Sequence, residues 1–269
     1  MRCLTRRGSP LAVLAALLLG GCAGGPQSLP ADEPRAIATA SDQTDLDRRA
    51  RVRLELAGAY FSRGQLDTAL DEVKQALAIN PQSADAYGLR ALIYAAMAED
   101  RLAEDSYRRA LQISPRDGNL LHNQGWFYCE RKRFGEAQVR FAEALAQPQY
   151  RDPGRTQLAR GICYGREAKW LEAEGALMRA YELDPANPGV GINLAEVLYR
   201  RGDLERARFY IGRLNDNPAT ANAQTLWLAA RIEHKAGREQ PARRLGDQLR
   251  SRYPQSPEAA LFERGQFDD

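Results

Sequence analysis

Between residues 46 and 256 small and apolar residues return in one pattern at a long, fixed interval. Tyr60, Tyr94, Tyr128, Tyr164 and Leu198 are spaced 34, 34, 36 and 34 residues apart. Ala69, Ala103, Ala137, Ala173 and Ala207 repeat those four intervals, as do Ala76, Ala110, Ala144, Ala180 and Leu214. The small residues Ala57, Ala91, Gly125, Gly161 and Ala195 form a fourth register with the same irregular 36. Shared irregularity makes the period a property of whole units rather than of single positions. Asn80-Pro81, Ser114-Pro115, Asp184-Pro185 and Tyr253-Pro254 predict helix ends, because the residue before proline is pushed out of the helical region. The pattern therefore predicts two helices per unit and five units. A sixth follows, since Ala195 to Ala229 and Leu198 to Ile232 are again 34. Ala207 to Ala242 is 35, which assigns one added residue to the turn at Ala236-Gly237. The two extra residues between units three and four fall in the Pro-bounded stretch Gln147 to Pro153. Residues 257–269 suffice for a short capping helix and tail.

This pattern resembles the tetratricopeptide repeat, in which two antiparallel helices cross at small residues and proline follows the second. A small residue at the crossing lets the helix axes approach; a larger one forces them apart. The resemblance implies an all-α fold, a right-handed superhelical solenoid of about six units whose first helices line a concave groove. Carried over position by position, it implies a partner-binding groove of Leu54, Phe61, Leu92, Asn123, Trp126, Leu158, Ile162, Ile192, Asn193 and Tyr199. Helical spacing alone does not separate groove from interhelical core at these positions. Asn123 and Asn193 share one register, where arrays of this kind often bond a ligand's main chain.

Composition agrees with a helical protein that binds rather than catalyses. Ala, Leu, Arg, Glu and Gln dominate and all favour helix. Of the 38 basic residues Arg2, Arg6 and Arg7 lie in the first 21 residues, where no acidic residue occurs; the rest of the chain balances at 35 of each sign. That balance gives no electrostatic case for a nucleic-acid partner. No phosphate-binding loop, dinucleotide fingerprint, zinc-binding His-Glu-x-x-His or nucleophile elbow is present, and His122 and His234 stand apart. We therefore expect no catalytic residue, metal, cofactor or small-molecule substrate.

The N-terminus reads as an address. Three arginines precede the apolar run Leu11 to Leu19, about half the ~20 residues of a spanning helix, as in a secretory signal. Leu19-Gly20-Gly21-Cys22 resembles the bacterial lipobox. It implies cleavage after residue 21, acylation of Cys22 and, with Ala23 following, sorting to the outer membrane. Residues 22–45 then read as a lipidated cysteine and disordered tether, rich in Pro and small residues. Once the leader and the lipid site claim Cys3 and Cys22, Cys129 and Cys163 remain. They fall on adjacent first helices of a protein in an oxidising compartment. We expect a disulfide, with two separate buried thiols as the alternative.

Unit three is more specific than the period. Leu121-His122-Asn123-Gln124-Gly125-Trp126-Phe127-Tyr128-Cys129, with the Pro-bounded insert and Gly161-Ile162-Cys163, resembles the type IV pilus biogenesis and stability lipoproteins, the pilotins of the pilus secretin. His122 and Gln124 stand where Asn and Tyr are commoner in that family. The resemblance covers residues 45 to 255. It implies an outer-membrane lipoprotein facing the periplasm, whose partners are the secretin subunit and, through Cys22, membrane lipid. The alternative is another outer-membrane tetratricopeptide scaffold, such as a β-barrel assembly subunit or an envelope protease adaptor. A cell-wall enzyme lacks any site in this sequence.

Overall fold

The computed structural model describes residues 40–267, with side chains from residue 45. The expected leader, Cys22 and most of the expected tether lie outside the described residues. Those described form thirteen helices and no strand. Six antiparallel pairs follow one another: α1 (Ala40–Ser62) with α2 (Leu66–Ile79), α3 (Ala84–Ala96) with α4 (Asp100–Ile113), and α5 (Gly118–Glu130) with α6 (Phe134–Leu145). Then come α7 (Pro153–Arg166) with α8 (Trp170–Leu183), α9 (Pro188–Arg201) with α10 (Leu204–Asn215), and α11 (Ala223–Lys235) with α12 (Glu239–Arg252). A short α13 (Pro257–Glu263) closes the stack. Odd-numbered helices touch one another from unit to unit and form the inner layer; each even-numbered helix packs on its own partner and on the next odd helix. The result is the superhelical tetratricopeptide solenoid expected from the period.

The crossing residues explain how tightly the pairs close. Ala57, Ala91 and Ala195 are completely buried. A Cβ on Gly161 would stand 2.5 Å from Leu177 Cγ, and one on Gly125 2.8 Å from Phe141 Cδ1. In those two units a bulky residue of the second helix fills the space that alanine occupies elsewhere.

Each intra-unit turn places one residue in the left-handed region: Gly64, Ala98, Lys132, Ala168, Gly202 and Gly237. Their intervals are 34, 34, 36, 34 and 35. The amide after each bonds back to a carbonyl one turn earlier, such as Glu99 to Tyr94 and Asp203 to Leu198. In unit six that bond runs from Arg238 to Glu233. Glu233, not Ile232, therefore occupies the register of Leu198, and the fully buried Ala230 is the crossing residue. The added residue thus sits before α11, in the connection over 216–222, and not in the turn at Ala236-Gly237.

The inner helices start on polar caps that follow proline by two residues. Ser83 accepts from Ala86 N at 3.2 Å, Asp117 from Asn119 N at 2.8 Å and Asn187 from Gly189 N at 3.0 Å. These satisfy amides that a helix start leaves without partners. At the N-terminal end, α1 begins at Ala40, inside the stretch 22–45 expected as tether. The Asp45–Arg48 pair one turn apart, at 3.0 Å, supports this first stretch. No described helix is long and apolar enough to cross a membrane.

Candidate protein-binding site

The groove candidates lie on the inner layer in a row that crosses the stack. Leu54 and Phe61 come from α1, Leu92 from α3, Asn123 and Trp126 from α5, Leu158 and Ile162 from α7, and Ile192 and Asn193 from α9. All nine are half-buried. Leu54, Phe61, Leu92, Trp126, Leu158 and Ile192 pack against the core on one side and stay partly open on the other, as a docking row requires. Tyr199 differs: it is only 5% exposed, with Arg231 and Lys235 placing their cations 4.7 and 4.5 Å from its ring. It is an interior residue and leaves the contact row.

The two asparagines share a register but not an environment. Asn123 Oδ1 accepts from Arg155 Nη2 at 3.3 Å. Asn193 Nδ2 donates to Gly189 O on its own helix at 2.7 Å. Each has one side-chain group engaged, so what remains for a ligand is a donor at Asn123 and an acceptor at Asn193. Arg166 pairs with Glu130 at 2.6 Å and covers Trp126 at 5.0 Å, which fixes the indole at the edge of the row.

Unit one leaves a separate apolar surface open on its end face. In later units the positions equivalent to Val52 are buried, as Ala86, Leu120, Thr156 and Val190, because the preceding unit covers them. No repeat unit precedes α1 among the described residues. Val52 is 49% exposed and Leu56 40%, and with Ile79 and the stems of Arg48, Arg49 and Arg53 they line a shallow cavity of about 490 Å³. Sequence reasoning missed these residues. The rule that a terminal repeat needs a polar outer face would have marked Val52 and Leu56 as exceptions.

Cys129 on α5 and Cys163 on α7 are 1% and 0% exposed and form a disulfide, with Cα atoms 5.8 Å apart. It ties unit three to unit four beneath the row. The Pro-bounded connection is a second tie. Tyr150 packs on Gly118, where a Cβ would stand 2.5 Å from the ring, and its hydroxyl bonds Thr156 Oγ1 at 2.6 Å. Thr156 also bonds His122 Nδ1 at 2.8 Å. His122 is buried, and burial, with the Arg155 charge adding, pushes its pKa down to about 4. The folded protein therefore holds it neutral, while the unfolded chain protonates it near 6.5. Its contribution is complete above pH 6.5 and is lost as the pH falls towards 4. Between pH 8 and pH 5 the loss should be about 2 kcal/mol, and His122→Asn should remove that part of the slope. Urea unfolding of both proteins at the two pH values checks this; equal slopes would contradict it. Among the described residues no group of three or more potential metal ligands occurs.

A stack of antiparallel helix pairs with a half-open apolar row along its inner layer defines a scaffold of the tetratricopeptide class. Family models described as TPR repeat and tetratricopeptide repeat match residues 58–97 and 84–117. More narrowly, the chain belongs to the family of the type IV pilus assembly protein PilF. It is 30% identical to PilF of Pseudomonas aeruginosa over 231 residues, 84% of this chain and 91% of that one. The crystal structure of PilW, described as a widely conserved type IV pilus biogenesis factor, matches with a TM-score of 0.73 at 29% identity, over 79% of this chain and 97% of PilW. A solved structure of Pseudomonas aeruginosa PilF matches with a TM-score of 0.71 at 28% identity, over 82% of this chain and 99% of that one.

Proposed function

We propose that this protein is a pilotin, an outer-membrane lipoprotein that binds the secretin subunit of the type IV pilus and promotes its delivery and ring assembly. Its relation to PilF and PilW supports a role in type IV pilus biogenesis through a tetratricopeptide scaffold. The observation that carries the binding part is the half-open row Leu54, Phe61, Leu92 and Trp126, with Val52 and Leu56 separately open on the end face of unit one. Apolar surface left open at one end of a solenoid whose other end is capped marks a docking face. The secretin contributes an apolar segment laid across units one to three. Acyl chains on Cys22 hold the scaffold at the outer membrane, because buried methylenes supply about 0.8 kcal/mol each. The chain does no chemistry of its own.

Cys22→Ala tests the anchor. The variant should leave the outer-membrane fraction for the soluble periplasm, or stay attached through an uncleaved leader. Secretin multimers should fall in parallel. Unchanged outer-membrane fractionation would overturn the lipoprotein reading.

A further inference from the structure

The distal end of the inner layer is occupied by the chain itself. Phe267 sits in a cage of aromatic rings, stacked on His234 at 4.0 Å, with Trp227 at 5.2 Å and Phe262 at 5.8 Å. Its main-chain carbonyl accepts from Arg231 Nε at 3.3 Å. Beyond the turn that ends α13, where Gln266 N bonds Leu261 O at 3.1 Å, this ring and carbonyl are the contacts that hold the tail among the described residues.

Arg231 is the centre of the site. It is 7% exposed, and its Nη2 is buried without a hydrogen-bond partner among the described residues. Its Nη1 is 3.6 Å from Glu196 Oε2, but Glu196 already takes Arg200 at 2.7 Å. Lys235 Nζ stands 4.5 Å from the Tyr199 ring that Arg231 also covers, so a second cation lies beside the guanidinium. A buried guanidinium whose Nη2 has no partner among the described residues favours an anionic acceptor. Next to it, between α9 and α11, opens a cavity of about 310 Å³ whose apolar wall is Ile192, Leu228 and Trp227. Trp227 and Arg231 belong both to that cavity and to the grip on Phe267.

We propose that the inner layer of units five and six is a second binding site, for a partner peptide carrying an aromatic residue followed by an acidic one. The chain's own Phe267 occupies its aromatic cage, and in sequence Asp268 and Asp269 follow. The tail is a competitor: a partner binds by placing its ring in the cage and its carboxylate on Arg231. This site lies at the opposite end of the stack from the apolar row of unit one, so it does not depend on the secretin reading.

The test uses the full chain and a synthetic peptide with the sequence of residues 264–269, followed by calorimetry. Phe267→Ala should bind the peptide at least about tenfold more tightly than the wild type, because it removes the competing state. Adding Arg231→Gln should abolish that binding. A peptide with both aspartates changed to asparagine should bind Phe267→Ala about tenfold more weakly, since the charge-assisted bond is lost. No binding to Phe267→Ala, equal binding to the wild type, or indifference to the asparagine change would overturn the proposal. So would unfolding of Phe267→Ala, which would make the ring a fixed cap.

Discussion

Phe141→Ala should destabilise the protein by about 3–5 kcal/mol, the usual cost of emptying an aromatic site in a packed core. Phe141 lies on α6 with no exposed surface, against the open backbone of Gly125 on α5. Its ring centroid is 5.9 Å from that of His122. The helices of unit three close on this ring, so no small shift can refill the space it leaves. Gly125→Ala approaches the same contact from the other side: its Cβ would stand 2.8 Å from Phe141 Cδ1 and 3.2 Å from Ala137 O. The two changes share one contact, so their combined effect should depart from the sum of the separate ones. Urea unfolding followed by circular dichroism reads the loss. A Phe141→Ala cost below 1 kcal/mol would show that unit three is not held by this ring.

Removal of the disulfide is the second large effect. The bond joins residues 34 apart in sequence. Closing a loop of that size restricts the unfolded chain by about 3–4 kcal/mol. The double variant Cys129→Ser, Cys163→Ser should lose that much and should also place two hydroxyls in buried sites. Because the bond spans units three and four, the loss should loosen their junction before the ends of the array, as nearest-neighbour stacking implies. Hydrogen exchange along α5 and α7 would show it. In the folded wild type, alkylation without reductant should label neither cysteine. Labelling of both, or a double variant as stable as the wild type, would contradict the tie.

Most of this fold was legible in the sequence because tetratricopeptide units repeat their packing. A residue at a helix crossing has to be small wherever it recurs, so Ala57, Ala91, Gly125, Gly161 and Ala195 reveal the architecture without coordinates. The proline-ended second helices were legible for the same local reason, and α2, α4, α8 and α12 stop immediately before their cap residues Asn80, Ser114, Asp184 and Tyr253. Unit six misled because Ile232 is apolar and lies one residue from the true register position. The deciding feature is a main-chain bond from Arg238 to Glu233, which leaves no mark in hydropathy.

The candidate site was less legible, since it depends on which neighbours cover each residue. Tyr199 has the spacing of a groove position, yet Arg231 and Lys235 of the next unit close over it. Val52 has the spacing of a core position and is exposed, with Leu56 beside it, because among the described residues no unit precedes α1. The seat of Phe267 among Trp227, His234 and Phe262 joins residues up to 40 positions apart and has no periodic signal. Local pattern fixes helices and crossings; cover from neighbouring units decides what remains open.

The binding claim rests most heavily on Phe61, half-buried at the end of α1 and at the start of the apolar row. Losing an aromatic anchor from a docking surface typically costs about 2 kcal/mol of binding, some thirtyfold in affinity. The direct measurement is the amount of heat-resistant secretin multimer, with twitching motility, in cells whose only copy carries Phe61→Ala. The melting temperature of the purified variant is measured beside it. The pilotin account predicts loss of multimers and of motility with a melting temperature close to that of the wild type. A variant that folds and still assembles the secretin ring would contradict it.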